Sequence, residues 1–179
     1  LEIARMIQKD SLKIGLEIIF FDVEDYGAPN YNSSFSDLQA MNDTWCLGSQ
    51  FWSYNLPENY QKPNFGILLD MVGAKNAVFP KEEISRIYAG YHLNKIWKLG
   101  QYLGYGSFFK NKIAPPLTDD HTYINELTQI PTLDIIHYDV SPFTNRFDFG
   151  KFHHTHQDNL EIIDRQTLKA VGQTVLTYL

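Results

Sequence analysis

The chain has 179 residues, 44% hydrophobic and 15% aromatic, enough to bury one sizeable core without dividing into several domains. Its net charge of −6, with no lysine- or arginine-rich run, argues against a nucleic-acid partner. A single cysteine, Cys46, excludes an internal disulfide, and no stretch comes near the roughly 20 apolar residues that a membrane-spanning helix needs.

Residues 1–9 read as an amphipathic helix that opens with neither an initiator methionine nor a capping residue. That start predicts the later part of a longer protein, and any leader peptide would lie in the earlier part. Gly15 separates this helix from residues 16–22, a continuous apolar run expected to form a strand covered on both faces. The run ends in Asp22-Val23-Glu24-Asp25, and the stretch 27–44, with its Pro, Gly, Asn and Ser, reads as a long loop that is functional or mobile. Residues 45–54 suit a short helix, and 65–72 a second buried strand closed by Gly73.

Pro80-Lys81-Glu82-Glu83 is expected to open a helix running to about residue 103, with proline and acids at its positive end and Gly104 and Gly106 closing it. After a loop at 111–119 and a short helical or irregular segment, residues 132–138 read as a third strand. The last helix starts at an acidic N-cap, Asp164, and spaces Leu168, Val171, Val175 and Leu176 to cover a sheet. Strands alternating with helices predict an α/β fold: one domain over 1–179, with a mostly parallel central sheet and helices on both faces.

Chemistry concentrates in four places. Glu24-Asp25 follows a buried run, at the end of a strand where open α/β sheets bind ligands. Adjacent sequestered carboxylates need a cation or a shared proton, although most such pairs are exposed loop residues. Asp70 interrupts the apolar Leu68-Leu69-Asp70-Met71-Val72 and needs a hydrogen-bond partner, an ion or a metal. Asp119-Asp120-His121 offers a helix N-cap in one of its two acids. His153, His154 and His156 fall within four positions and supply imidazoles that are solvated in most such loops. Carboxylate with imidazole and almost no cysteine points to zinc or a similar metal.

Taken together these motifs resemble the bacterial glutaminyl cyclases of the zinc aminopeptidase-like superfamily along essentially the whole chain. The resemblance rests on Glu2-Ile3-Ala4-Arg5, Ile19-Phe20-Phe21-Asp22-Val23-Glu24-Asp25, Trp45-Cys46-Leu47-Gly48-Ser49 and Leu68-Leu69-Asp70-Met71-Val72-Gly73-Ala74. It continues through Asp119-Asp120-His121, Ile130-Pro131-Thr132-Leu133 and His154-Thr155-His156-Gln157-Asp158-Asn159. It implies a three-layer sandwich lacking the family's N-terminal strands, with Asp25 and His154 as zinc ligands and Glu24 as general base and acid. Asp70 and Asp119 would join Glu24 in a hydrogen-bonded acidic network.

The resemblance also implies one zinc for a cyclase or two for an aminopeptidase, with one family ligand upstream of residue 1. The substrates would be peptide or protein N-termini, and the location the periplasm or cell envelope. Two features favour the cyclase: the acid Asp119, where aminopeptidases more often carry a small hydroxyl residue, and the long loop between Asp25 and Gly48-Ser49. His153 stands where animal cyclases carry tryptophan, so packing there differs. The competing expectations are a zinc aminopeptidase, with Asp70 on a second metal, and a noncatalytic binding domain should the protein be naturally this short.

Overall fold

The computed structural model describes residues 2–7, 14–25, 27 and 44–179. Its helices are α1 (Glu2–Ile7), α2 (Leu47–Tyr54), α3 (Glu83–Tyr102), α4 (Asp120–Thr128) and α5 (Arg165–Tyr178). Its strands are β1 (Gly66–Asp70), β2 (Phe79–Glu82), β3 (Phe109–Ala114), β4 (Thr132–Ile136), β5 (Asp139–Val140) and β6 (Phe147–Asp148). A 3-10 turn, Leu160–Ile162, precedes α5.

β1 pairs in parallel with β4, and β2 in parallel with β3, while β5 and β6 form a small antiparallel hairpin. The two parallel ladders adjoin, because the Tyr138 N–H donates to the Val78 carbonyl at 3.0 Å and the Val78 N–H donates to His137 Nδ1 at 2.9 Å. All five residues of β4 are buried, as a strand covered on both faces must be. Leu133 and Ile135 join the core formed with Leu93, Ile96 and Trp97 of α3 and Val171 and Val175 of α5. The alternate residues meet α4: Asn125 exchanges two 2.8 Å hydrogen bonds with the Thr132 backbone, and His121 approaches Asp134. The pleat thus sends successive side chains to helices on opposite faces, as the α/β reading expected.

Trp97 anchors the first face. Its indole N–H donates to the Phe79 carbonyl at 3.0 Å and its ring meets Phe109 edge-on, 5.3 Å between centroids. A buried tryptophan thereby adds its area to the core without an unpaired donor.

Several expected elements differ. Residues 16–22 form neither helix nor strand and join no ladder among the described residues. Leu16, Ile18 and Phe20 are 41%, 46% and 73% exposed. Apolarity reports what the side chains need around them, not whether another strand offers its backbone groups. This segment and β1 instead face each other across a cavity of about 840 Å³, also lined by Trp52, Tyr60 and Phe65.

The expected helix start at Pro80 is strand β2, and α3 begins only at Glu83. Proline has no N–H for a ladder, and the β2–β3 register shifts between Phe79 and Lys81, beside the residue that cannot donate. The expected loop at 111–119 begins inside β3, whose burial alternates from Phe109 to Ala114. The third strand ends at Ile136 rather than 138. The first helix ends its described length at Ile7, its expected end at 9 lying outside the described residues. Most of the expected long loop, 28–43, also lies outside them. No helix among the described residues is long and apolar enough to cross a membrane.

Candidate active site

The turn that carries Glu24 and Asp25 is clamped to the start of α2. The Cys46 N–H donates to the Glu24 carbonyl at 2.9 Å and the Leu47 N–H to the Val23 carbonyl at 3.1 Å. Gly48 makes this approach possible: a Cβ there would lie 2.4 Å from the Asp22 carbonyl oxygen. Four non-glycine residues in the left-handed region adjoin or form the site, namely Val23 (φ 53°), Cys46 (φ 53°), Met71 (φ 49°) and His154 (φ 55°). For β-branched Val23 this is a marked outlier, and such strain clusters where geometry serves function.

Asp25 and His154, 129 positions apart, meet directly: His154 Nε2 and Asp25 Oδ1 are 2.8 Å apart. The His154 ring is stacked on His153 with centroids 3.7 Å apart, and His153 in turn contacts the Phe149 ring. His153, at the position where the resemblance expected different packing, thus sits in a run of three rings. Burial, then the neighbouring His154, pushes the His153 imidazole down toward its neutral form. The third histidine, His156, is exposed and outside this cluster.

Glu24 and Asp25 are driven apart electrostatically. Burial first, then a hydrogen bond with Asp25 and the charges of Asp25, Asp70 and Asp120, push Glu24 up to about 8. Burial raises Asp25 as well, but its hydrogen bonds with Glu24 and His154 outweigh it and hold this carboxyl below the usual range. One neighbour is thus set up to hold a proton while the other stays anionic. Divergence of this kind separates an acid–base group from a ligand.

Behind Glu24 lies an acid cluster. The Cys46 thiol donates to Glu24 Oε1 at 3.6 Å, and ligand atoms of Glu24, Cys46 and Asp119 lie within 4.8 Å of one another. Burial pushes the Cys46 thiol strongly up, and Asp120, Asp119 and Glu24 add to it, so it remains a neutral donor. Asp119 is the N-cap of α4, its Oδ1 accepting from the Asp120 N–H at 2.6 Å within a capping box completed by Thr122. Burial and the Asp70 charge nevertheless push its carboxyl well above the usual range. Asp70, at the end of β1, rises to about 6, chiefly through burial.

Asp70 has a consequence for stability. Its folded value lies above the unfolded one of 3.8, so no penalty exists below that pH, and the penalty grows across pH 4–6 and is constant above. Asp70→Asn is therefore expected to stabilise the metal-free protein at pH 7 by about 1–3 kcal/mol and to leave it unchanged near pH 3. Paired thermal melts at the two pH values would read this, and an equal shift at both would refute it.

Three features of the buried groups were missed in the sequence. Asp134 interrupts an apolar strand just as Asp70 does, so the same signal marks it. Glu82 is read from sequence only as an acid favoured by the helix dipole, and it is 1% exposed. Its carboxylate accepts from the N–H groups of Ile84, at 2.7 Å, and Ser85, and it pairs with His121 Nε2 at 3.2 Å. No local pattern announces that the Cys46 thiol reaches Glu24.

Asp25 and His154 fit zinc by their donor set. They bring a carboxylate oxygen held ionised and an imidazole nitrogen to one place at the edge of the acid cluster, the ligand types and protonation state that this ion takes.

A family profile described as peptidase family M28 matches residues 1–179. Among solved structures, Tannerella forsythia glutaminyl cyclase is 46% identical with a TM-score of 0.87, the match covering 99% of this chain and 58% of that one. A Zn-dependent exopeptidase from Parabacteroides distasonis is also 46% identical, with a TM-score of 0.86 and coverage of 98% and 57%. Bacteroides thetaiotaomicron glutaminyl cyclase, bound to N-acetylhistamine, is 44% identical, with a TM-score of 0.85 and coverage of 98% and 57%. The chain therefore spans somewhat more than half the length of these structures. No curated protein matches it.

Proposed function

The chain belongs to peptidase family M28, and from that membership we propose that it carries the acid–base half of a zinc-dependent glutaminyl-peptide cyclotransferase. The observation that carries this reading is the divergence within Glu24-Asp25, a protonatable acid against an anionic carboxylate already paired with His154. The cyclases among the similar structures support the reaction class.

Asp25 and His154 would hold zinc, as two of the three protein ligands common in catalytic sites. When bound, the ion supplies a Lewis acid for the side-chain amide carbonyl of an N-terminal glutamine. The rest falls to this chain's residues. Glu24 takes a proton from the substrate α-amine as that nitrogen bonds to the side-chain amide carbon, then gives one to the nitrogen that leaves as ammonia. Asp70 and Asp119 keep Glu24 within reach of both protonation states. The nucleophile belongs to the substrate itself, so the pocket has only to hold it near its target. The product is a pyroglutamyl N-terminus.

Mass spectrometry of a Gln-initiated peptide incubated with the zinc-loaded protein tests this. Loss of one ammonia supports the cyclase. Loss of a whole residue would make the protein an aminopeptidase instead. No change under any metal condition would leave a noncatalytic binding domain.

A further inference from the structure

Resting on the reading of Glu24 and Asp119 as reaction groups, we propose that Asp134 is a positioning residue whose carboxyl shares one proton with Asp119 and so pins Asp119 beside Glu24. Asp134 lies mid-strand in β4, opposite Leu68 of β1, and is 1% exposed. Its backbone N–H donates to Ser85 Oγ at 2.8 Å. Among the described residues neither of its carboxyl oxygens finds a donor, nor does Asp119 Oδ2, and His121 Nδ1 has no hydrogen-bond partner. Ligand atoms of Asp119, His121 and Asp134 nevertheless lie within 4.8 Å of one another.

Ionisable groups reach Asp134 from three elements. From α4 come Asp119 and His121, from the end of β2 Glu82, and from β1 Asp70. His121 Nε2 is engaged by Glu82, and His121 Nδ1 stands 3.9 Å from Asp134 Oδ2, beyond hydrogen-bond reach. Two buried carboxylates are then left close together, with Asp119 Oδ2 and both Asp134 oxygens lacking a donor among the described residues, an arrangement that interiors do not tolerate. A proton between them supplies the missing donor and removes one charge together.

The proton belongs on Asp134. Asp119 already accepts a backbone N–H at a helix N-terminus, a setting that favours the anion, whereas Asp134 has no such donor. The Asp134 O–H then donates to Asp119 Oδ2, and Asp119 remains an acceptor facing the Glu24–Cys46 side. Burial pushes both carboxyls well above the usual range; the Asp70 charge adds to each, and at Asp134 the charge of Asp119 and a hydrogen bond with it add further.

Two variants test the arrangement in the zinc-loaded protein. Asp134→Asn retains an N–H donor for Asp119 and is expected to stay within about threefold of wild-type kcat/KM with an unchanged pH profile. Asp134→Leu removes the donor and is expected to lower kcat about tenfold and move the acidic limb of the profile up by about one pH unit. Identical profiles for the two variants would overturn the proposal. Infrared spectroscopy gives an independent readout should Asp134→Leu not fold. The wild-type minus Asp134→Asn difference spectrum at neutral pH should contain the C=O band of a buried protonated carboxyl. Absence of that band overturns the proposal, and an extra metal equivalent bound by wild type but not by Asp134→Asn would give the pocket to a cation instead. This band does not depend on which reaction the peptide assay finds, so failure here is separable from failure of the cyclase reading.

Discussion

Replacing Glu24 by glutamine is expected to lower turnover of a Gln-initiated peptide by about 10²–10⁴-fold while zinc stays bound. The amide keeps the size of the carboxyl, and it can still accept the Cys46 thiol. It cannot carry a proton from the attacking amine to the leaving nitrogen. Asp25 and His154 are untouched, and the hydrogen bonds fixing this turn come from the backbone of α2, so metal content and melting should barely change. Ammonia release measured beside zinc content reads both halves. Turnover within about tenfold of wild type, with zinc retained, would remove Glu24 from its assigned role.

The largest stability effect is expected at Glu82. Glu82→Ala deletes one partner of a fully buried pair and leaves the His121 imidazole without its acceptor, a change that costs about 3–5 kcal/mol when a buried pair is broken from one side. It also uncaps α3, whose first N–H groups end on this carboxylate, adding about 1 kcal/mol. Burial opposes the charge of Glu82, but the hydrogen bond and charge of His121 and the bonds from Ser85 hold its carboxyl below the ordinary 4.5. A depressed acid stabilises the fold above its unfolded value, and that contribution fades as pH falls through the folded one. The penalty of Glu82→Ala should therefore be full at neutral pH and shrink in acid. Urea unfolding of both proteins at pH 7 and pH 4 would measure it. A neutral-pH loss under about 1 kcal/mol would mean that this buried pair contributes little.

The features legible in the sequence were those whose physics is local. Asp164 before a helical period gave α5 its N-cap, and the Asp164 side chain does accept from the Thr167 N–H at 3.1 Å. One acid of the Asp119-Asp120 pair was read as an N-cap, and Asp119 is the one that caps. The carboxylates after the apolar run 16–22 stood out because a buried charge needs a reason. What stayed hidden depends on distant partners. β3 reads Phe-Lys-Asn-Lys-Ile-Ala, polar enough for a loop until β2 and Trp97 supply its neighbours. The run 16–22 carries a strand's composition, yet a ladder needs a second backbone that composition cannot register. The meeting of Asp25 with His154, across 129 positions, came from motif resemblance rather than periodicity.

The left-handed residues Val23, Cys46, Met71 and His154 bear on how this chain would respond to directed evolution. Each stands at or beside a site residue, in a conformation that costs about 1–2 kcal/mol for a side chain to adopt. A screen that rewards heat resistance alone would find easy gains at these four codons, through glycine or through any neighbour that lets the backbone relax. Those gains would come from the geometry that orients Glu24, Asp25 and Asp70. Libraries built on this scaffold should hold these positions constant, or select for turnover in every round.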